Sequence, residues 1–395
     1  MDRPSDPTRS NGPKFKAFDR LEKWQRSGYK LLLYGMSAKR FMKSSSQRAV
    51  VYLVVVMTLG LYSLHELIAA LFFSRSLLEG ISHAYIMTYI LTFLIQWFYM
   101  LQHVRSFHEN EIYLEKFEST QAHSSFADHI LDRNMKDFLK YIMFCAGWWA
   151  TNNFTHLIGP LIEFSLAFIR TGEFIQISLL PQVFDLPKWG QVAMYIHNAV
   201  MTFSFFMYCG ANSLILGTRV LKVKTQCDIL NEALRNDHGV ESNIKAFIKD
   251  HIVILRAAKM LNGELADLNL VIFTGSYMEI ATQMFTLTLF EPSGVYFFAV
   301  AFDFGSIFLI TATQCWLSST LTIALDTVSD GVYDTEWYGR DKNHALNVLI
   351  MLQMAQQEKS HRIWFNSFKI DRSAALSLLQ SSYAVYTFLM IVQSN

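Results

Sequence analysis

Seven stretches of this chain are long and apolar enough to cross a lipid bilayer, and they limit the possible folds more than any other feature. A spanning helix needs about 20 mostly apolar residues. Hydrophobic residues make up 52% of the 395-residue chain and charged residues only 17%. The sequence therefore predicts an all-α membrane protein with seven transmembrane helices. The predicted spans cover residues 49–73, 82–104, 138–168, 192–218, 269–290, 295–323 and 373–393.

The distribution of basic residues predicts the orientation of these helices. Cytoplasmic loops of membrane proteins carry an excess of Lys and Arg. When successive loops are assigned to opposite sides, one side holds 31 of the 34 basic residues and the other holds only Arg75, Arg170 and Lys188. The N-terminus is therefore predicted to be cytoplasmic and the C-terminus extracellular. This orientation disfavours a G-protein-coupled receptor, whose N-terminus lies outside.

The spans divide the chain into parts with different surroundings. Spans two, four and six are expected to continue as helices into the cytoplasm, and an amphipathic helix is predicted at Asn343–Lys359. A basic helix at Lys14–Met42 is predicted either to lie on the inner membrane surface or to pack on the protein's own cytoplasmic side. The predicted parts are a basic cytoplasmic N-terminal segment at 1–48, transmembrane helices one to six at 49–323, cytoplasmic helices at 324–372 and the last transmembrane helix at 373–395.

Among the ionisable residues within the predicted spans, four are candidates for a functional role. They are His65 and Glu66 in span one, Glu279 in span five and Asp303 in span six. Ionisable groups inside a membrane often mark a functional pathway, so a proton relay is one interpretation. The other is that they form hydrogen bonds between helices or line a water-filled cavity.

The sequence shows no motif of a metal site or of an enzyme. His103 and His108 are five residues apart, so they face different sides of a helix and cannot form a helical zinc pair. His-Glu-x-x-His, Gly-x-Ser-x-Gly and phosphate-loop patterns are absent from the sequence. We therefore expect no catalytic residues, no metal and no cofactor. The net charge of +1 likewise gives no reason to expect nucleic acid as a partner.

The outer halves of spans two to five combine aromatic, Met and small polar residues. Such a lining suits a mostly apolar pocket for a small ligand, although the same residues could simply pack helix against helix. The candidate ligand-binding residues are Tyr85, Thr88, Tyr89, Asn152, Phe154, His156, Asn198, Met201, Phe205, Tyr277, Ile280, Ala281 and Met284.

The last third of the chain carries the most specific pattern. Residues 333–338 read Tyr-Asp-Thr-Glu-Trp-Tyr, a Phe-Lys element lies at 365–370 just before the last span, and the chain ends shortly after that span. This pattern resembles the insect odorant receptor family. Seven spans, the inverted orientation and the length agree with the resemblance over the whole chain.

The resemblance implies both an architecture and a function. Members of this family form odorant-gated, non-selective cation channels as tetramers in the plasma membrane of olfactory sensory neurons, and most pair with a shared odorant co-receptor. It implies a pocket for small volatile odorants in the outer half of the helices, a pore lined by the last helix and cytoplasmic helices that anchor the oligomer. The connection at 219–268 lacks the co-receptor's insertion, so the chain resembles a ligand-specific tuning subunit.

Helical spacing on the last span selects a set of pore residues. The candidate pore and gate residues are Tyr386, Leu389, Met390 and Gln393. The end of this span is also similar to gustatory receptors, but Phe388 stands where that family has Tyr, and the apolar run before Gln393 is one residue shorter. A gustatory-type ligand-gated channel is therefore one alternative function, and a proton-coupled membrane transporter that uses Glu66, Glu279 and Asp303 is another.

Overall fold

The structure is a computed structural model in which most residues after 126 are described. The surface helix predicted at Lys14–Met42, the candidates His65 and Glu66, and most of the first two spans lie outside the described residues. The described residues are 127–171, 188–236, 244–288, 295–356, 362–363 and 368–394, together with the helical positions 68, 80, 87, 88, 90–92, 94–96 and 99.

Four helices of exceptional length form the body of the described structure. They are α1 at Ala127–Thr171, α2 at Lys188–Arg235, α3 at Ile244–Leu287 and α4 at Val295–Tyr333. At 1.5 Å per residue each is about 60–70 Å long, roughly twice the 30 Å thickness of a bilayer's hydrocarbon core. The prediction that spans four and six continue as helices beyond their apolar stretches is confirmed by α2 and α4.

Two described stretches meet both the length and the hydropathy expected of a membrane-crossing helix. They are Phe297–Gly339, which includes most of α4, and Arg372–Val392 in the last helix. Polar and charged residues interrupt the remaining long helices, as they do at Thr151, Asn152 and Asn153 in α1.

A short helix and a hairpin connect α4 to the last helix. A 3-10 turn at Trp337–Gly339 is followed by α5 at Lys342–Ala355, by β1 at Arg362–Ile363 paired antiparallel with β2 at Phe368–Lys369, and by α6 at Arg372–Ser394. Helix α5 begins where Asp341 Oδ1 accepts a hydrogen bond of 3.2 Å from the backbone N–H of His344. The predicted helix at Asn343–Lys359 is thus confirmed, although it ends earlier, at Ala355.

Asp371 caps the N-terminus of α6. Its Oδ1 accepts hydrogen bonds from the backbone N–H groups of Ser373 at 2.9 Å and Ala374 at 3.2 Å. The hydrogen bonds from Ser373 are the largest influence and hold the pKa of the Asp371 carboxyl below its usual range. The carboxylate therefore stays ionised at neutral pH, facing the positive end of the helix dipole.

Removing this cap is expected to weaken the last helix. Asp371→Ala should lower the free energy of unfolding by about 1 kcal/mol, since it leaves N–H groups of the first turn without their acceptor. The effect should be present at neutral pH and disappear as the pH falls through the lowered pKa of Asp371, because the protonated carboxyl caps poorly. Thermal unfolding of the purified protein in detergent measures the loss of stability at neutral pH and its disappearance at acidic pH. Equal melting temperatures at neutral pH would contradict the prediction.

The main apolar core lies where α2, α3, α4 and α5 meet. Residues such as Leu216, Leu265, Leu325, Val328 and Met351 are almost fully buried there. A second apolar cluster joins α3 and α4 to the start of α6 through Phe273, Ile280, Ile307, Ala375 and Leu378. The last helix is thus attached to the bundle along α3 and α4.

A buried ion pair lies within the main core. Arg219 Nη1 on α2 is 2.7 Å from Glu264 Oε2 on α3, and the two side chains are only 2% and 8% exposed. The hydroxyl of Tyr99 donates a 3.2 Å hydrogen bond to the backbone oxygen of Glu264. This arrangement ties α2 and α3 to Tyr99.

Candidate functional site

A polar contact joins α1 to α4 inside the predicted membrane region. His156 Nε2 lies 2.8 Å from Asp303 Oδ1, and Asn152 Nδ2 donates to the same oxygen at 3.1 Å. Asn152 and His156 are four residues apart and so share one face of α1. Two predicted site residues therefore meet a carboxylate that was singled out only as an ionisable group within a span.

The same two helices approach closely one turn further along. The indole N–H of Trp148 donates a 3.0 Å hydrogen bond to Ser306 Oγ, and its ring packs on Phe302 with centroids 5.5 Å apart. A Cβ added at Gly305 would lie 2.2 Å from a ring carbon of Trp148. Only glycine leaves room for this ring, so Gly305 permits the contact that aligns Asn152 and His156 with Asp303.

A second carboxyl approaches from α3. Glu279 is 4% exposed, accepts a hydrogen bond from Thr92 and is close enough to Asp303 for the two carboxyls to interact electrostatically. One turn along α3, Ser276 Oγ and Thr311 Oγ1 are 2.9 Å apart. Polar groups of α1, α3 and α4 thus converge on Asp303, and we call Asn152, His156, Glu279 and Asp303 the acidic cluster.

The other predicted ligand residues divide into several groups. Phe154 is 64% exposed and lies on the opposite face of α1 from the acidic cluster. Ile280 and Ala281 are fully buried, and Ile280 packs in the apolar cluster shared with α6, which Tyr277 and Met284 also contact. Thr88 is half-buried. Asn198, Met201 and Phe205 lie on α2 with only their backbone described, and Tyr85 and Tyr89 lie outside the described residues.

Helix α6 contacts α3 and the residue that follows it at two positions along its length. Ser382 Oγ donates a 3.2 Å hydrogen bond to the backbone oxygen of Tyr277, and Thr288 Oγ1 lies 3.7 Å from Met390 Sδ. Tyr386, Leu389 and Met390 are half-buried, whereas Phe388 and Ile391 are exposed. The side chain of Gln393 is outside the described residues.

Comparison with known proteins identifies the family. A family model described as 7tm Odorant receptor matches residues 76–383. The chain belongs to this odorant receptor family. Odorant receptor 42a of Drosophila melanogaster is 25% identical to this receptor over 184 residues, which are 45% of the chain and 44% of the fly protein. The receptor therefore matches less than half the length of that relative.

Solved structures share the receptor's fold. The insect olfactory receptor OR5 from Machilis hrabei in complex with eugenol has a TM-score of 0.73 at 14% identity, covering 95% of this chain and 100% of that one. A second structure of OR5 from Machilis hrabei has a TM-score of 0.70 at 14% identity, covering 96% of this chain and 100% of that one. At this identity the similarity shows the fold alone.

Membership of the family confirms the resemblance to insect odorant receptors on which the functional prediction rests. The chain is an odorant receptor by family, not an enzyme. The receptor's structure adds Glu279 and Asp303 to the candidate site. Sequence reasoning recognised both as ionisable residues within spans, but only the packing of α1, α3 and α4 shows that they lie near Asn152 and His156.

Proposed function

We propose that this receptor is a tuning subunit of an odorant-gated, non-selective cation channel. The observation that carries the proposal is the family match over residues 76–383, which covers all but the first and the end of the last predicted span. Its ligands are small, volatile and largely apolar. Burial contributes about 0.8 kcal/mol per CH₂, so an odorant of about ten carbons reaches micromolar affinity with few hydrogen bonds.

The proposed topology has seven spans, a cytoplasmic N-terminus and an extracellular C-terminus. The excess of basic residues on one side supports this orientation. The long extensions of α2 and α4 then lie in the cytoplasm, where they pack on each other and α4 also packs with α5. Leu346, Leu349 and Ile350 on α5 are exposed, and an apolar helix face of this kind suits contact with other subunits. We infer that this region, at 324–372, anchors a tetramer.

Helix α3 is the proposed link between odorant and pore. Glu279 on one face belongs to the acidic cluster, while Tyr277 and Thr288 contact α6. Binding opens the pore only if the open state holds the odorant more tightly than the closed state does. A shift of α3 on binding would be passed directly to α6, whose Tyr386, Leu389, Met390 and Gln393 we propose as pore residues. None of these four is acidic, which suits weak selectivity among cations.

The partner in this proposal is the shared odorant co-receptor. The connection at 219–268 lacks the insertion that the resemblance assigns to the co-receptor, which supports a tuning role in a heterotetramer. The complex would lie in the plasma membrane of olfactory sensory neurons, in contact with membrane lipid.

Whole-cell current in cells that express the receptor tests this proposal. The receptor is expressed alone and with an insect odorant co-receptor, and a broad volatile panel is applied. We expect odorant-evoked cation current only when both subunits are present, and cells with the co-receptor alone are the control. Silence in the presence of both subunits, with this receptor confirmed at the cell surface, would contradict the proposal.

A further inference from the structure

Two buried acceptor atoms flank Asp303 without a partner among the described residues. They are Asn152 Oδ1 on α1 and Glu279 Oε1 on α3. Their side chains are only 9% and 4% exposed. A buried polar atom that lacks a hydrogen bond costs about 1–3 kcal/mol, so such atoms usually mark the place of a missing partner.

The missing partner of Asn152 must be a hydrogen-bond donor. Its Oδ1 is an amide oxygen, which can only accept, and its amide N–H already donates to Asp303. The stretch 269–323, which includes both carboxyls, contains no Lys or Arg. The described residues of this stretch therefore supply no cationic donor, and His156 is already positioned on Asp303.

We propose that the acidic cluster selects odorants that carry an O–H or N–H group. The inference rests on the proposed function and names the ligand class of the same site. The donor group of an alcohol, phenol or amine would bind between Asn152 Oδ1 and Glu279 Oε1. The apolar part of the odorant would lie among the neighbouring aromatic and aliphatic side chains. An ether or ester of the same skeleton would instead bring a third oxygen against these acceptors.

A panel of matched volatiles tests the selection. Each straight-chain or aromatic alcohol is compared with its methyl ether and with the aldehyde of the same skeleton, on cells that express the receptor and the co-receptor. We expect the half-maximal concentration of each alcohol to be about tenfold below that of its ether. One well-formed hydrogen bond contributes about this factor in affinity. Equal potency of alcohols and ethers would overturn the inference, because water would then satisfy the two acceptors.

Variants at Glu279 test its role as a hydrogen-bond acceptor for the odorant. Glu279→Leu should abolish the preference for alcohols, whereas Glu279→Gln should retain it because Gln keeps an acceptor at the same position. Ser276→Ala is the matched control: it removes a polar group one turn away on α3 and should leave the ratio of alcohol to ether potency unchanged.

The outcomes distinguish this inference from the proposed function. Odorant-evoked current with no preference for donors overturns the inference alone. A preference that survives in Glu279→Leu, with the variant at the cell surface, also overturns it. Absence of any evoked current from the wild-type pair at the cell surface overturns the proposed function and the inference together.

Discussion

Replacing Glu264 by leucine is expected to remove most of the receptor from the cell surface. The substitution leaves the guanidinium of Arg219, which is 2% exposed, buried without its carboxylate. Breaking a buried ion pair from one side costs about 3–5 kcal/mol, a large share of the stability of most folded proteins. Surface labelling of cells should show less receptor at the surface, and thermal unfolding in detergent should show a lower melting temperature.

Two further variants show whether the charge is the cause. The double variant Arg219→Met with Glu264→Leu should recover much of the surface level, since an apolar pair can replace a buried ion pair at little cost. Lys140→Ala removes the partner of Asp137 in an ion pair whose side chains are 79% and 73% exposed, and should change little. A double variant as poorly expressed as Glu264→Leu would contradict this account.

Gly305→Ala is expected to disrupt the contact between α1 and α4. The new methyl group would lie 2.2 Å from the ring of Trp148, which packs on Phe302 and is hydrogen bonded to Ser306. Overpacking of this kind typically costs about 1–3 kcal/mol. Separation of the helices would also withdraw Asn152 from Asp303. We expect a lower melting temperature and a loss of odorant sensitivity greater than the loss of surface protein.

Gly147→Ala provides the matched control. Gly147 precedes Trp148 on the same helix, and a Cβ there meets no atom within 4 Å. Alanine should therefore maintain or raise stability, by up to about 1 kcal/mol, through its better helix propensity. The combination of Gly305→Ala with Trp148→Phe should restore part of the response, because the smaller ring leaves room for the methyl group. Equal effects of the two glycine variants would refute the explanation.

Local patterns in the sequence predicted the helices well. Apolar stretches at 138–168, 192–218 and 295–323 all lie within single helices. Helix α5 begins at Lys342, one residue before the predicted start at Asn343, with Asp341 as its N-cap. The early end of α5 at Ala355 was missed because residues 343–359 carry no glycine or proline to stop a helix.

The face that each residue presents was harder to predict. Composition alone grouped Ile280 with Asn152, yet Ile280 packs toward α6 and Asn152 faces Asp303. A helix surrounded by others has apolar residues on several sides, so periodicity does not say which neighbour each side meets. The pairing of His156 with Asp303 joins residues 147 positions apart, and nothing in the local sequence encodes such a contact.

The length of the helices has a mechanical consequence. Because α3 and α4 run without interruption through about 60 Å, each behaves as a lever, and a tilt of about 5° displaces one end from the other by about 5 Å. Glu279 and Asp303 lie toward one end of these helices, whereas Val328 lies toward the other end of α4 and Glu264 near the middle of α3. A displacement at the acidic cluster smaller than the width of a methyl group would therefore shift the position of the other end of the bundle. If the odorant binds at the acidic cluster and the subunits meet at the opposite end, as proposed, then odorant affinity and the strength of subunit assembly are coupled.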